Sequence, residues 1–223
     1  MIYKIKKYIR DNENLMNFLS AIYRILFFNK IKGRAGLDYQ FRGAFLKKSV
    51  IINHGENNQL IIGKGCRLSN CKVEFYGDNN QVIIEHDCKG RTLDVWIGDG
   101  SKIEIKNHSH FVGNIHIASI EGKTVHIGER CLFSSEIVLR TSDSHSILDM
   151  ENNRVNPAAD VWIDDHVWIG QQVMILKGAK IGRDSIVGTR ALVTGKVFPD
   201  NVVIAGSPAK VIKEDVQWHH ELG

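Results

Sequence analysis

The chain has 223 residues, 43% of them hydrophobic, which suits one domain with a continuous core and at most a small appendage. Three Pro and no Gly/Ser- or Pro-rich run exclude an obvious interdomain linker. Charge is uneven: residues 1–48 hold eleven Lys/Arg against three Asp/Glu and the rest hold eighteen against twenty-two, for a formal net charge of +4, so the basic end fits either an anionic surface or a merely solvated segment.

The four cysteines show no CxxC spacing, and no Walker-type or dinucleotide fingerprint supports nucleotide hydrolysis or hydride transfer. Residues 15–28 form the first long apolar run, only fourteen residues with Asn17 and Arg24 inside, too short to span a bilayer. No small-residue cleavage site follows it, so a cytoplasmic chain with reduced thiols is expected.

Residues 1–32 read as helix, interrupted near 11–14. Leu15, Leu19, Ile22 and Leu26, with Phe18 and Ile25, give an apolar stripe at helical spacing. This stripe is expected to cap the open end of the structure that follows; contact with a membrane surface is the alternative. The segment 1–43 is therefore taken as a basic helical appendage.

A repeating pattern is expected over 44–213. Asn57-Asn-Gln-Leu-Ile-Ile62 recurs as Asn79-Asn-Gln-Val-Ile-Ile84, a shift of 22, and the register continues at Ile105 and Ile127. A coil of eighteen with a bulge at one corner accounts for such shifts, and Gly77-Asp-Asn-Asn and Gly98-Asp-Gly-Ser have turn composition. Cys66, Cys88, Ser109 and Cys131 share one place in this register and are expected to form an inward ladder of small side chains.

Residues 141–160 break the pattern with a polar stretch rich in Asn and Asp. From Ile127 to Ile163 is 36 residues, two ideal coils, so register is kept while content is not. A loop leaving the wall is expected here, where a rigid scaffold commonly carries chemistry.

Residues 161–198 are the most regular. Ile or Val recurs every six residues at 163, 169, 175, 181, 187 and 193, with small or β-branched Val167, Val173, Ala179, Ser185, Ala191 and Val197 four places later. Neither the 3.6 period of a helix nor the 2 of a strand gives this. A short fixed period means a solenoid, and three six-residue faces per turn make an all-β, triangular parallel β-helix. Residues 214–223 are expected to close the far end as a short helix or frayed tail.

His145 is the leading candidate for chemistry. Strict counting in sixes from Ile127 would aim it inward, where an unpaired imidazole is costly. Its neighbours Ser142, Asp143 and Ser144 argue instead for exposure. On extended backbone Asp143 projects to the same side and could orient the ring, with Asp149 the rival partner. An ordinary loop histidine is the plain alternative. Trp168 and Trp162 sit at the sixth place of their hexads and so face outward, suited to stacking on a ligand or on a neighbouring subunit.

The hexads, the run Thr141-Ser-Asp-Ser-His-Ser-Ile147, Asn156-Pro-Ala-Ala-Asp160, His166-Val-Trp-Ile-Gly170 and the ending Ile204-Ala-Gly-Ser-Pro-Ala-Lys210 together resemble the hexapeptide-repeat acyltransferases, in particular bacterial polysaccharide O-acetyltransferases. The resemblance implies left-handed coils, against the usual right-handed crossover. It implies that His145 is the general base, with Asp143 beside it, and that Trp168, Trp162, Ser142 and Asn156 serve the acceptor.

It further implies acetyl-CoA as co-substrate, its arm along Gly170, Gly188, Thr189 and Thr194 and its phosphates at Lys196, Lys210 and Lys213, with no metal and no nucleic acid. A homotrimer with its site between subunits, acting on a sugar hydroxyl of a surface polysaccharide, is the expected whole. N-acetylation of a nucleotide-linked amino sugar is the runner-up. A zinc hydratase built on His108, His110, His116 and His126, which shares the fold, and a non-catalytic solenoid are the remaining alternatives.

Overall fold

In the computed structural model, which describes residues 7–9, 11–27 and 29–220, Ile62, Ile84, Ile105, Ile127, Ile163, Ile181 and Phe198 stack in register on successive strands. Each is buried, and the same holds for the expected ladder of Cys66, Cys88, Ser109 and Cys131. Each fully buried Ile, Val or Leu contributes about 1.5–3 kcal/mol, and only stacking buries them. The result is a left-handed parallel β-helix of about seven turns.

Three strand stacks form its faces. Face 1 runs from Lys30–Lys32 through Val50–Asn53, Lys72–Tyr76 and Leu93–Gly98 to Met174–Ile175 and Leu192–Val193. Face 2 runs from Leu37–Gln40 to Val197–Phe198 and face 3 from Phe45–Lys47 to Val203–Gly206. Strands His110–Ser119 and Leu132–Arg140 continue round the corner from face 3 to face 1. Corner residues such as Asn57, Asn79, Asp87 and His108 take positive φ near 55–60°, the left-handed conformation that Asn and Asp tolerate best.

The coils begin earlier than expected. Lys30–Lys32 and Leu37–Gln40 already pair with Val50–Asn53 and Asn58–Ile62, so the first coil precedes residue 44 and the helix does not reach residue 32. Helix α1 spans Glu13–Leu26, and the expected interruption is its N-cap, where Asn12 accepts from the Leu15 N–H at 3.0 Å. The parts of the expected helix at 1–6, 10 and 28 lie outside the described residues.

The face of α1 that packs only partly follows the predicted stripe, of which Leu15 and Leu19 are half-buried. Met16 and Ser20 are buried, whereas Phe18, Ile25 and Leu26 are more than 60% exposed. Arg24 decides the orientation, donating to the carbonyls of Phe41 (2.8 Å) and Ala44 (2.7 Å) in the first coil. Tyr23 packs edge-on against Phe45, which places α1 beside the first strand of face 3.

Two further expectations change. Phe198, not a residue at 199, stacks on Ile181, so the register is one residue short and Val197 is exposed rather than inward. The tail is not a helix within the described residues: Ala209–Lys213 pairs antiparallel with Val203–Gly206, and Trp218 then lies against His166.

Candidate active site

The strands Thr124–Ile127 and Val161–Ile163 are immediate neighbours, so the 36 residues between Ile127 and Ile163 make one coil, not two. The surplus is an excursion at the corner between faces 1 and 2. Its ends meet where the Ala159 N–H donates to the Thr141 carbonyl at 3.0 Å. Counting in sixes therefore fails for His145, which is exposed as its neighbours indicate.

Within the excursion, Val155 N–H donates to Ile147 O and Asp149 N–H to Asn153 O, forming a hairpin. Asn156 is its buried hub. The side-chain oxygen accepts from Ile147 N–H (2.7 Å), and Nδ2 donates to Asp143 Oδ2 (2.7 Å) and to the His145 carbonyl (2.9 Å). A loop leaving the wall must satisfy its own backbone, and Asn156 does this at the root of His145. Neither Asn156 nor Ser142 is free for an acceptor as expected. Ser142 is buried, donating to Glu121 and accepting from Ser144 N–H.

Asp143 does not orient the His145 ring. Lys177 Nζ donates to Asp143 Oδ2 at 2.6 Å and to the Asn156 carbonyl at 3.0 Å. Lys177, then Asn156, holds the Asp143 carboxyl below the usual carboxylate range. Asp149 is no substitute, because it accepts from Glu151 N–H and Asn153 N–H at the hairpin tip. Among the described residues the His145 ring has no hydrogen-bond partner. It is held through its backbone and presented to whatever approaches the corner.

Two residues absent from the sequence reading fix the loop from the other side. Arg154 forks onto Glu121 at 2.6 and 3.0 Å, a bidentate pair. Arg154 and then Ser142 hold the Glu121 carboxyl down to about 2. Arg140 lies at the loop's entrance, with Nη2 donating to Ser144 and a buried Nε that lacks a partner among the described residues.

The coenzyme candidates fall at two corners. Thr194 and Lys196 lie at the excursion's corner, one coil beyond Lys177, where Gly195 approaches the Lys177 carbonyl and Gly178. Gly170, Gly188 and Thr189 lie at the corner between faces 3 and 1. There a Cβ on Gly170 would meet Thr189 N and Val187 O at 2.8 Å, so only glycine allows the coils to stack. Lys210 pairs with Ala205 beside that corner and Lys213 with Val203 on face 3, both exposed. An anionic ligand fits these exposed lysines, but one chain does not bring the two corners together.

Trp162 and Trp168 face outward as expected, 38% and 39% exposed. Trp162 stacks on His126 with centroids 3.9 Å apart and donates to Asp164. Trp168 lies on face 3, opposite the His145 corner, 6.0 Å from Trp218. The four histidines considered for zinc are dispersed: His116 pairs with Asp94 on face 1, His126 with Glu104 on face 2, and His108 and His110 belong to face 3 and its edge. Among the described residues no three His, Cys, Asp or Glu converge as metal ligands.

The bacterial transferase hexapeptide profile (six repeats) matches residues 160–195. The chain is 32% identical over 169 residues to the polysialic acid O-acetyltransferase of Neisseria meningitidis, covering 75% of this chain and 78% of that protein. It is 33% identical over 126 residues to the polysialic acid O-acetyltransferase of Escherichia coli O1:K1, covering 56% of this chain and 40% of that protein. The crystal structure of the polysialic acid O-acetyltransferase OatWY superposes with a TM-score of 0.78 at 27% identity, covering 87% of this chain and 92% of the other.

Proposed function

The chain belongs to the hexapeptide-repeat acyltransferases, and from that membership we propose that it moves an acetyl group from acetyl-CoA to a sugar hydroxyl of a surface polysaccharide. The observation that carries this reading is the exposed His145 ring on an excursion locked at both roots, by Lys177 on one coil and Glu121 on another. A histidine titrates near neutral pH, which suits proton removal from a hydroxyl of high pKa.

In this scheme His145 accepts the hydroxyl proton as the sugar oxygen attacks the thioester carbonyl. The new C–O bond forms, the C–S bond breaks, and the imidazolium returns its proton to the departing thiolate. Asp143, Asn156 and Lys177 position His145 through the loop backbone and touch neither reactant. Gly170, Gly188, Thr189 and Lys210 supply a wall for the coenzyme arm and phosphates at the corner of faces 3 and 1, with Lys213 nearby; Thr194 and Lys196 extend the wall at the excursion's corner. Trp168 stacks on the acceptor.

Because these groups occupy two corners and the face opposite, a complete site needs more than one chain. A cyclic homotrimer that sets the His145 corner of one copy against the Trp168 end of face 3 of the next meets that need. Among the described residues no helix is long and apolar enough to cross a membrane. The test is a screen of defined glycans with acetyl-CoA, read by an acetyl mass increment on the glycan and by free thiol release. Acceptor-dependent release is expected, and thiol release that no hydroxyl-bearing glycan increases would refute the proposal.

A further inference from the structure

Above Trp168, face 3 carries groups to which the transfer chemistry assigns no role. In strand register Phe45, Arg67, Lys89, His110, Leu132 and Trp168 form one outward row, each a single rung from the next. Rungs recur about every 4.8 Å, so Arg67 stands roughly 19 Å along the row from Trp168. The upper half of the row borders a cavity of about 620 Å³ beside α1. Lys47, Arg67, Lys89, Arg91 and His110 line it, and no carboxylate does. Tyr23 of α1, Phe45, Leu68, Ser69, Gly90 and Phe111 complete its lining.

Arg67, Lys89 and Arg91 form no ion pair with any described residue. Asp87 lines the two neighbouring recesses beside Lys89, without pairing to it. Clustered like charges repel, and a concave wall concentrates their field on an incoming anion. His110 registers that field: burial, then the charges of Lys89, His220 and Arg91, holds its imidazole below the usual value. Below His110 the row continues past Leu132 into a second recess walled by His166 and Trp218, beside Trp168.

We infer that this row is a binding track for a negatively charged polysaccharide, its acidic groups held by Arg67, Lys89 and Arg91 and a sugar ring reaching Trp168. That the bound polymer is also the acetyl acceptor rests on the function proposed above. A bilayer is a poorer match, because the cations line a recess instead of a flat face. The exposed apolar side chains Phe18 and Ile25 lie on the opposite side of α1 from Tyr23. Aromatic walls beside cations suit sugar rings that bear carboxylates.

The experiment titrates the full chain and the Arg67→Gln/Lys89→Gln double variant with polysialic acid, monomeric sialic acid and uncharged dextran, without acetyl-CoA. Wild type is expected to hold the polymer at least roughly tenfold more tightly than the monomer, more weakly as salt rises, and dextran not at all. The double variant should lose at least roughly tenfold for the polymer, the scale of even one of the two charge-assisted contacts removed, with unchanged melting temperature and oligomeric state. Equal polymer binding by variant and wild type overturns the inference, as does equal binding of dextran. It also fails if the substitutions change the oligomeric state, which would make the row a subunit contact, or impair only binding to phosphatidylglycerol vesicles. A polymer that binds the track yet is never acetylated leaves the track standing and refutes the acetyl-transfer reading alone.

Discussion

Lys177 and Asp143, 34 positions apart in the chain, meet at 2.6 Å and tie the excursion bearing His145 to the following coil. The lysine also donates to the Asn156 carbonyl, so one ammonium fixes both roots of the hairpin. Half-exposed ion pairs of this kind contribute little to global stability, about 0–1 kcal/mol. Their effect is local, on where the His145 ring sits.

Lys177→Met is therefore expected to lower kcat by roughly tenfold or more through misplacement of the base, with a nearly unchanged melting temperature. Lys177→Arg should restore most of the loss, because it keeps the charge and the donors. Steady-state kinetics beside thermal melting check this. A fall in melting temperature matching the fall in kcat would instead make Lys177 a general stabiliser.

The Glu121–Arg154 pair sets an acid limit on the loop. The Glu121 carboxyl is held at about 2, below its ordinary 4.5, by Arg154 and Ser142. A depressed folded-state pKa means that this contribution is complete above 4.5 and is lost as pH falls from there through about 2. Cleavage by pepsin within 147–155 should rise steeply over that window in wild type. In Glu121→Gln it should already be high at pH values above the window, and equal resistance of the two proteins there would count against the clamp.

The coil repeat is legible in the sequence because every turn restates it: Ile163, Ile169 and Ile175 begin three successive faces and must all point inward. The choice of helix face is not legible, because α1 is apolar on two sides. Phe18 and Ile25 are as hydrophobic as Met16, and only the bonds from Arg24 to Phe41 and Ala44 reveal which side packs. The exposure of His145 was readable from its polar neighbours. Its partners were not, since the 36-residue interval fits two coils as well as one coil with an excursion, and only the latter brings Lys177 to Asp143.

The two sides of α1 are separable by substitution. Met16→Ala should cost about 2 kcal/mol or more, the usual scale for deleting a buried Met side chain. Phe18→Ser and Ile25→Ser, on the outward side, should change stability by no more than about 0.5 kcal/mol. Urea unfolding of the three variants checks this, and the reverse order would restore the predicted stripe as the packing face.

Lys210 stands beside the corner that Gly170 and Gly188 keep clear, paired in register with Ala205. In the proposed scheme an exposed ammonium there would meet a coenzyme phosphate leaving the wall. Lys210→Ala should raise the KM for acetyl-CoA by roughly tenfold, the cost of one charge-assisted contact, with kcat nearly unchanged. Collapse of kcat at constant coenzyme affinity would place the phosphates elsewhere.

His145 is the decisive residue. Its ring is exposed, has no hydrogen-bond partner among the described residues, and is carried by a backbone that Asn156 holds through the His145 carbonyl. Removing the imidazole therefore breaks no structural bond, while loss of a general base costs about 10²–10⁴ in rate. His145→Ala should abolish acceptor-dependent thiol release and leave melting temperature and coenzyme binding at the wild-type level. His145→Asn should match it, because an amide keeps a polar contact but takes no proton. Asn156→Ala is the contrasting variant: it unties the loop from Asp143 and His145, so it should lower both activity and the loop's resistance to proteolysis. Acetyl transfer within about fivefold of wild type in either His145 variant is too small a loss for a missing base and would eliminate His145 from the chemistry.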